Sequence, residues 1–173
     1  MKILSGLLTS LVLIFSVTSC QQDEVEFIDI LTLLVPIEIP AGLNSIETHY
    51  FEYLDEPTRI SAILQSNNLS EEEISFIRPR SATLRSLATG ESFDFLQQSF
   101  VEIASRSEDF IECYFVDRIP NNEDAILDLI PNEVNMKSRL IRDFVDIRLA
   151  FLLKRPNPAT FRAEMELTFF VQR

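Results

Sequence analysis

The single histidine of this chain, His49, sits in the run Glu47-Thr48-His49-Tyr50-Phe51-Glu52-Tyr53. Imidazole is the side chain most often used as a general base, and alternate spacing puts His49 on one strand face with Glu47, Phe51 and Tyr53. A carboxylate-oriented imidazole in an aromatic pocket is the sharpest chemical reading of that run. Catalysis also needs an oriented network around the base, and no partner for one can be located in the sequence. His49, Tyr50 and Tyr53 are therefore candidates for ligand binding, no catalytic residue is assigned, and the chain is expected not to be an enzyme.

Other site chemistries fare worse. There is no CxxC pair, no HExxH and no second histidine, so a zinc site of usual composition cannot be assembled and no metal is expected. Glu71-Glu72-Glu73 supplies charge for calcium, but consecutive helical carboxylates diverge, and the calcium-loop pattern with its central glycine is missing. Ser70 followed by Glu73 instead has the spacing of a capping box, with the acids on the favourable end of a helix dipole. Three glycines in the whole chain cannot build a phosphate cradle, and no GxSxG elbow is present. No cofactor is expected. A carboxylate pair for hydrolysis stays open as a remote alternative, because the separation of two acids is a tertiary fact.

The two cysteines have different settings. Cys113 lies in Ile111-Glu112-Cys113-Tyr114-Phe115, where it shares a strand face with Ile111 and Phe115 and reads as a buried small hydrophobe. Cys20 closes the segment Val17-Thr18-Ser19-Cys20, after Lys2 and a largely apolar run from Ile3 to Phe15. One early cation and a short apolar stretch make a secretory leader, too short to span a bilayer comfortably at about 20 residues per crossing. An aliphatic residue, two small residues and a cysteine resemble the lipobox of bacterial lipoproteins. The resemblance implies cleavage before Cys20 and lipid attachment to its thiol, so the membrane is a partner through lipid alone. Gln21 after the cysteine is similar to outer-membrane lipoproteins, and Asp23-Glu24 resembles the surface-export signal of Bacteroidota lipoproteins. The body of the chain resembles no characterised family.

Residues 1–19 are thus expected to be leader, 20–26 a lipidated tether, and 27–173 a single domain, placed at the outer membrane, with the choice between its periplasmic and its outer face left open. Losing Lys2 takes the formal net charge from −12 to −13. Such acidity repels phosphate backbones, so no nucleic acid is expected, and docking of the body on an anionic bilayer is disfavoured.

The elements that must position any site are mostly strands. From Phe144 to Lys154, Val145, Ile147, Leu149, Phe151 and Leu153 alternate with polar residues, and the pattern repeats from Phe161 to Gln172. Period-two patterning of this length means strands with one buried face. Arg155-Pro156-Asn157-Pro158 between them reads as a turn, so the two are expected to pair as a C-terminal hairpin. Further strands are expected over 34–39 (an edge at best, given Pro36), 46–54, 80–87, 100–104, 111–119 and 125–130. Helical turns are expected over 58–66, from Ser70, and over 134–142. Short strands at this spacing favour a mainly β fold, a β-sandwich (immunoglobulin-like or related) of about six to eight strands with one or two short helices. A transmembrane barrel, whose strands also alternate, is the weaker alternative.

Phe144, Leu152 and Phe170 fall on the nominally polar faces of the last two strands and form a candidate interaction face. The expected function is a lipid-anchored binding or structural accessory of the cell envelope, chiefly a protein-interaction module. The alternative is a module that binds a glycan or another nutrient.

Overall fold

The computed structural model describes residues 26–106, 108–119 and 125–173. The leader, Cys20 and most of the tether lie outside the described residues, as does the turn at Pro120-Asn121-Asn122.

Eight strands account for most of the described chain: β1 (Phe27–Ile39), β2 (His49–Pro57), β3 (Phe76–Ser86), β4 (Leu96–Ala104), β5 (Ile111–Val116), β6 (Ile126–Pro131), β7 (Phe144–Leu153) and β8 (Phe161–Gln172). They form one antiparallel sheet in the order β1-β8-β3-β6-β5-β4-β7-β2. The sheet curls into a nearly closed barrel with two short helices, α1 (Ile60–Asn67) and α2 (Lys137–Leu140). This overturns the expected sandwich. Alternation reports one buried face per strand and is the same for two stacked sheets or one curled sheet. Strand length carries the difference: β1, β3 and β8 run 13, 11 and 12 residues, and long twisted strands tilt and coil into closure.

The expected C-terminal hairpin is also corrected. β8 pairs with β1 and β3, whereas β7 pairs with β2 and β4. The segment 154–160 carries the chain across one end of the barrel rather than around a tight turn. Pro36 does fall on an end strand, since β1 and β2 are the two termini of the sheet. Between them runs a seam, at which Tyr53 of β2 lies near Glu38 of β1.

The barrel's inside is apolar and filled. β8 alone contributes Phe161, Ala163, Met165, Leu167, Phe169 and Val171, and β1 faces them with Leu31, Leu33, Val35, Ile37 and Ile39, all buried. The outside carries Arg162, Glu164 and Glu166 on β8, Thr83 and Arg85 on β3, and Asp128 on β6. A membrane-spanning barrel turns its apolar residues outward, and this one does the reverse. The buried hydrophobic side chains of the described strands and helices form one cluster.

The two ends of the barrel differ. One carries both described chain ends, joined by reciprocal backbone bonds between Glu26 and Arg173 at 2.9 and 3.1 Å. It also carries both helices: α1 buries Ile60 and Leu64, and α2 buries Leu140 with Ile141 following. The 3-10 turn Glu71–Glu73 sits there too, its Glu73 carboxylate accepting the Ser70 N–H at 2.9 Å, as the capping box demands. The opposite end holds the loops 40–48, 87–95 and 154–160.

Candidate functional site

The loop end is organised by aromatics. Phe93 and Phe95, in the connection from β3 to β4, tuck inward against Phe161 with ring centroids 5.0 and 5.1 Å away. All three are buried and cap the core. The Lys154 N–H donates to the Phe95 carbonyl at 2.8 Å, tying the 87–95 loop to the chain leaving β7. Above that tie, Arg155 donates to both carboxylate oxygens of Asp94 at 2.8 and 2.9 Å.

Asn157 holds the third loop. Its Nδ2 donates to the Pro40 carbonyl at 2.6 Å and to the Ala159 carbonyl at 3.1 Å, while its own carbonyl accepts from Gly42 N–H at 2.9 Å. Gly42 has φ +79°, a backbone conformation that glycine adopts without strain. The flanking prolines, Pro156 and Pro158, restrict the backbone on either side, so the amide is presented from a stiff segment.

Between these loops opens a cleft of about 520 Å³. Phe95 and Phe161 contribute apolar surface, and Glu91, Ser92, Asp94 and Arg155 contribute polar groups around it. Asn157 lines it as well, and is only 2 % exposed. Its Oδ1 is buried and accepts no hydrogen bond. Both amide protons are already committed to carbonyls, which fixes the orientation of the amide and leaves a pure acceptor. A buried acceptor without a donor costs roughly 1–3 kcal/mol, and this one shows almost no surface to the cleft, so Asn157 acts as a clamp on the loops that shape it. The cleft offers an apolar surface for a ring face, the carboxylates of Glu91 and Asp94, and the donors of Arg155 and Ser92.

The residues singled out from sequence lie elsewhere. His49, Phe51 and Tyr53 are half-buried on the inner face of β2 beside the seam. His49 Nε2–H donates to the Asn44 carbonyl at 2.9 Å, and Glu47 is engaged by the Asn44 side chain rather than by the histidine. Burial pushes the Tyr53 phenol above its ordinary range. Tyr50 points outward, with the Arg148 guanidinium 5.4 Å over its ring. The structure thus divides the three between the two faces of one strand. Phe144 and Leu152 lie on the outside of β7, whereas Phe170 belongs to β8 on another wall, packed edge-on against Phe27 at 5.6 Å. These three do not share a surface.

Cys113 is fully buried, with its Sγ donating to the Val101 carbonyl at 3.2 Å, and burial pushes its thiol well up. Among the described residues, no three metal-binding side chains converge, and no helix is long and apolar enough to cross a membrane.

Sequence reasoning missed Asn157 because Arg155-Pro156-Asn157-Pro158 reads fully as a turn. The available signal was an amide-bearing residue held between two prolines. Comparison with protein-family models, curated proteins and solved structures finds no match for this chain.

Proposed function

We propose that the protein is a lipid-anchored envelope protein that binds a small hydroxyl-bearing ligand, a glycan or similar nutrient, in the cleft between loops 87–95 and 154–160. The observation that carries this reading is the cleft itself, about 520 Å³, in which Glu91, Ser92, Asp94 and Arg155 surround an apolar floor of Phe95 and Phe161. Aromatic surface beneath converging polar groups is the usual make-up of small-ligand sites.

Placement supports it. Attachment at Cys20 puts the anchor at the end where β1 begins, and the cleft is at the other end. Twelve steps along β1 at about 3.3 Å each, tilted as barrel strands are, raise the cleft roughly 30 Å above that end. A site so raised is open to ligands arriving from the aqueous side. The filled barrel leaves the loop end, not the interior, as the place for a ligand.

The test is a titration of the isotopically labelled mature chain with a panel of mono- and oligosaccharides, followed by backbone amide shifts. Saturable shifts confined to residues 90–95 and 155–159, reduced by Ser92→Ala with Glu91→Gln, support the reading. Saturation that maps to another face, or a panel without any saturable shift, overturns it.

A further inference from the structure

The wall formed by β1, β8 and β3 carries, near the end where the chain enters, a cluster of phenylalanine rings and guanidinium groups. Phe27 is 52 % exposed and stacks edge-on to Phe170. The Arg80 guanidinium lies 5.0 Å over the Phe170 ring, and the Arg78 guanidinium lies 4.7 Å over the Phe76 ring. Strand register makes these neighbours: Phe27 and Phe76 both face Gln172 from opposite sides, and Arg78 faces Phe170. Arg78 and Arg80 are exposed.

We infer that this patch rests on the bilayer, with the rings at the headgroup level and the two arginines on lipid phosphates. The inference uses the lipid anchor of the proposed function but not the cleft. Chain length makes the argument. Phe27 is seven residues beyond Cys20, so a fully extended tether holds it within about 25 Å of the lipidated atom. Phenylalanine rings serve surface-bound segments as the apolar side that sinks to the headgroup–acyl boundary, with basic residues beside them on the wet side. Guanidinium groups suit phosphate because their planar fork donates two parallel hydrogen bonds, and their stems lie along apolar surface while the charge stays in water.

Charge gives the same answer locally that net charge obscures. The acids near the patch are Glu26, Asp29, the Glu71–Glu73 turn and Glu133, whose segment is bonded to Ile77 through Asn135 and Met136, and Arg173 pairs with Glu73 at 3.3 Å. The Asp29 carboxylate is turned to its own strand, accepting the Ile30 N–H at 2.7 Å. Neither arginine of the patch ends on a carboxylate in any ion pair among the described residues. Their charges stay available to a partner, and the tether brings phosphates first. Docking this wall tips the barrel and sets the direction in which the loop end faces.

The experiment couples an unlipidated chain beginning at Cys20, through that thiol, to maleimide lipid in vesicles of phosphatidylethanolamine and phosphatidylglycerol. Buried Cys113 does not compete. The chain has no tryptophan, so Phe27→Trp gives one reporter, and Leu87→Trp, at the loop end, gives its control. With brominated acyl chains, the reporter at position 27 is expected to lose about half of its emission or more, and the one at 87 almost none, as depth in the interface requires. Adding Arg78→Glu and Arg80→Glu is expected to return position 27 to the level of position 87. Equal, weak quenching at both positions overturns the inference, as does quenching at 27 that survives the arginine changes. Because coupling is chemical, these outcomes do not depend on lipidation in the cell. Metabolic labelling with a fatty acid, lost in Cys20→Ser, tests that separately.

Discussion

The hydroxyl of Tyr114 donates to the main-chain carbonyl of Thr168 at 2.5 Å, joining β5 to β8, which the sheet order separates by β3 and β6. The bond falls at a fault in the ladder, where the register of β3 on β8 slips between Pro79, opposite Phe169, and Ser81, opposite Thr168. The Tyr114 ring packs edge-on to Phe169 at 5.6 Å. Tyr114→Phe keeps the ring and removes the buried donor to that carbonyl. Stability to chemical denaturation is expected to fall by about 1–3 kcal/mol, with an unchanged denaturant slope.

The same residue makes stability depend on alkaline pH. Burial pushes the Tyr114 phenol far above its ordinary range, and a like charge at Cys113 adds to this. A group whose folded-state pKa is raised contributes fully below its unfolded pKa and loses that contribution as pH rises past it. Stability is therefore expected to decline above about pH 10, where the unfolded tyrosine ionises and the folded one does not. Unfolding curves between neutral pH and pH 11 check this. Tyr114→Phe is expected to flatten the decline.

What the sequence reveals and what it hides divide along local and non-local lines. The last two strands are legible residue by residue, because Phe161, Ala163, Met165, Leu167, Phe169 and Val171 share one face whatever lies opposite them. The capping box at Ser70 and the helical turn ending in Leu140 are local too. Strand partners are not. Val145 and Phe161 flank a segment with two prolines, and nothing in those residues says that the segment crosses the barrel instead of reversing it. The candidate site fails for the same reason: the worth of Asn157 comes from Pro40 and Gly42, more than a hundred residues away in the chain.

Asn157 makes that dependence testable. Asn157→Asp keeps the shape but replaces the donor to Pro40 and Ala159 with a carboxylate oxygen facing two carbonyls. The protein is expected to lose about 1–3 kcal/mol, with faster amide exchange in loops 40–48 and 154–160 and a folded core. Hydrogen exchange resolved by segment distinguishes this from global loss. Uniform acceleration through β8 would mean that Asn157 is a pillar of the core and not a clamp on loops.

The burial of Cys113 gives a prediction about thiol chemistry. Thiolate is the reactive form, and a thiol raised by burial presents almost none of it at neutral pH. In an unlipidated chain beginning at Cys20, a maleimide is expected to label Cys20 alone, and Cys113 only after denaturant unfolds the barrel. Mass spectrometry of the labelled protein reads the count directly. Rapid native labelling of Cys113 would show that the β4–β5 wall opens, against the complete burial of that side chain.

Tyr50 can be tested for a role that its surroundings already explain. Arg148 pairs with Glu102 at 2.6 Å across the β4–β7 register, and its guanidinium lies 4.1 Å over Phe110 as well as near Tyr50. The side-chain bond to Glu102 pushes the Arg148 pKa up, which keeps the stack charged at every accessible pH. Both charged side chains are less than a third exposed, so solvent weakens the pair without erasing it. Arg148→Lys preserves the charge and loses the flat guanidinium that covers two rings, so it is expected to cost nearly as much as Arg148→Ala, about 1 kcal/mol. Tyr50→Leu in the Arg148→Ala background is then expected to add little, because the ring's partner is already gone. A double-mutant cycle measures that coupling, and the saccharide titration repeated on Tyr50→Leu completes the argument. Unchanged affinity assigns Tyr50 to the arginine stack, whereas a loss of affinity with unchanged stability returns it to ligand binding.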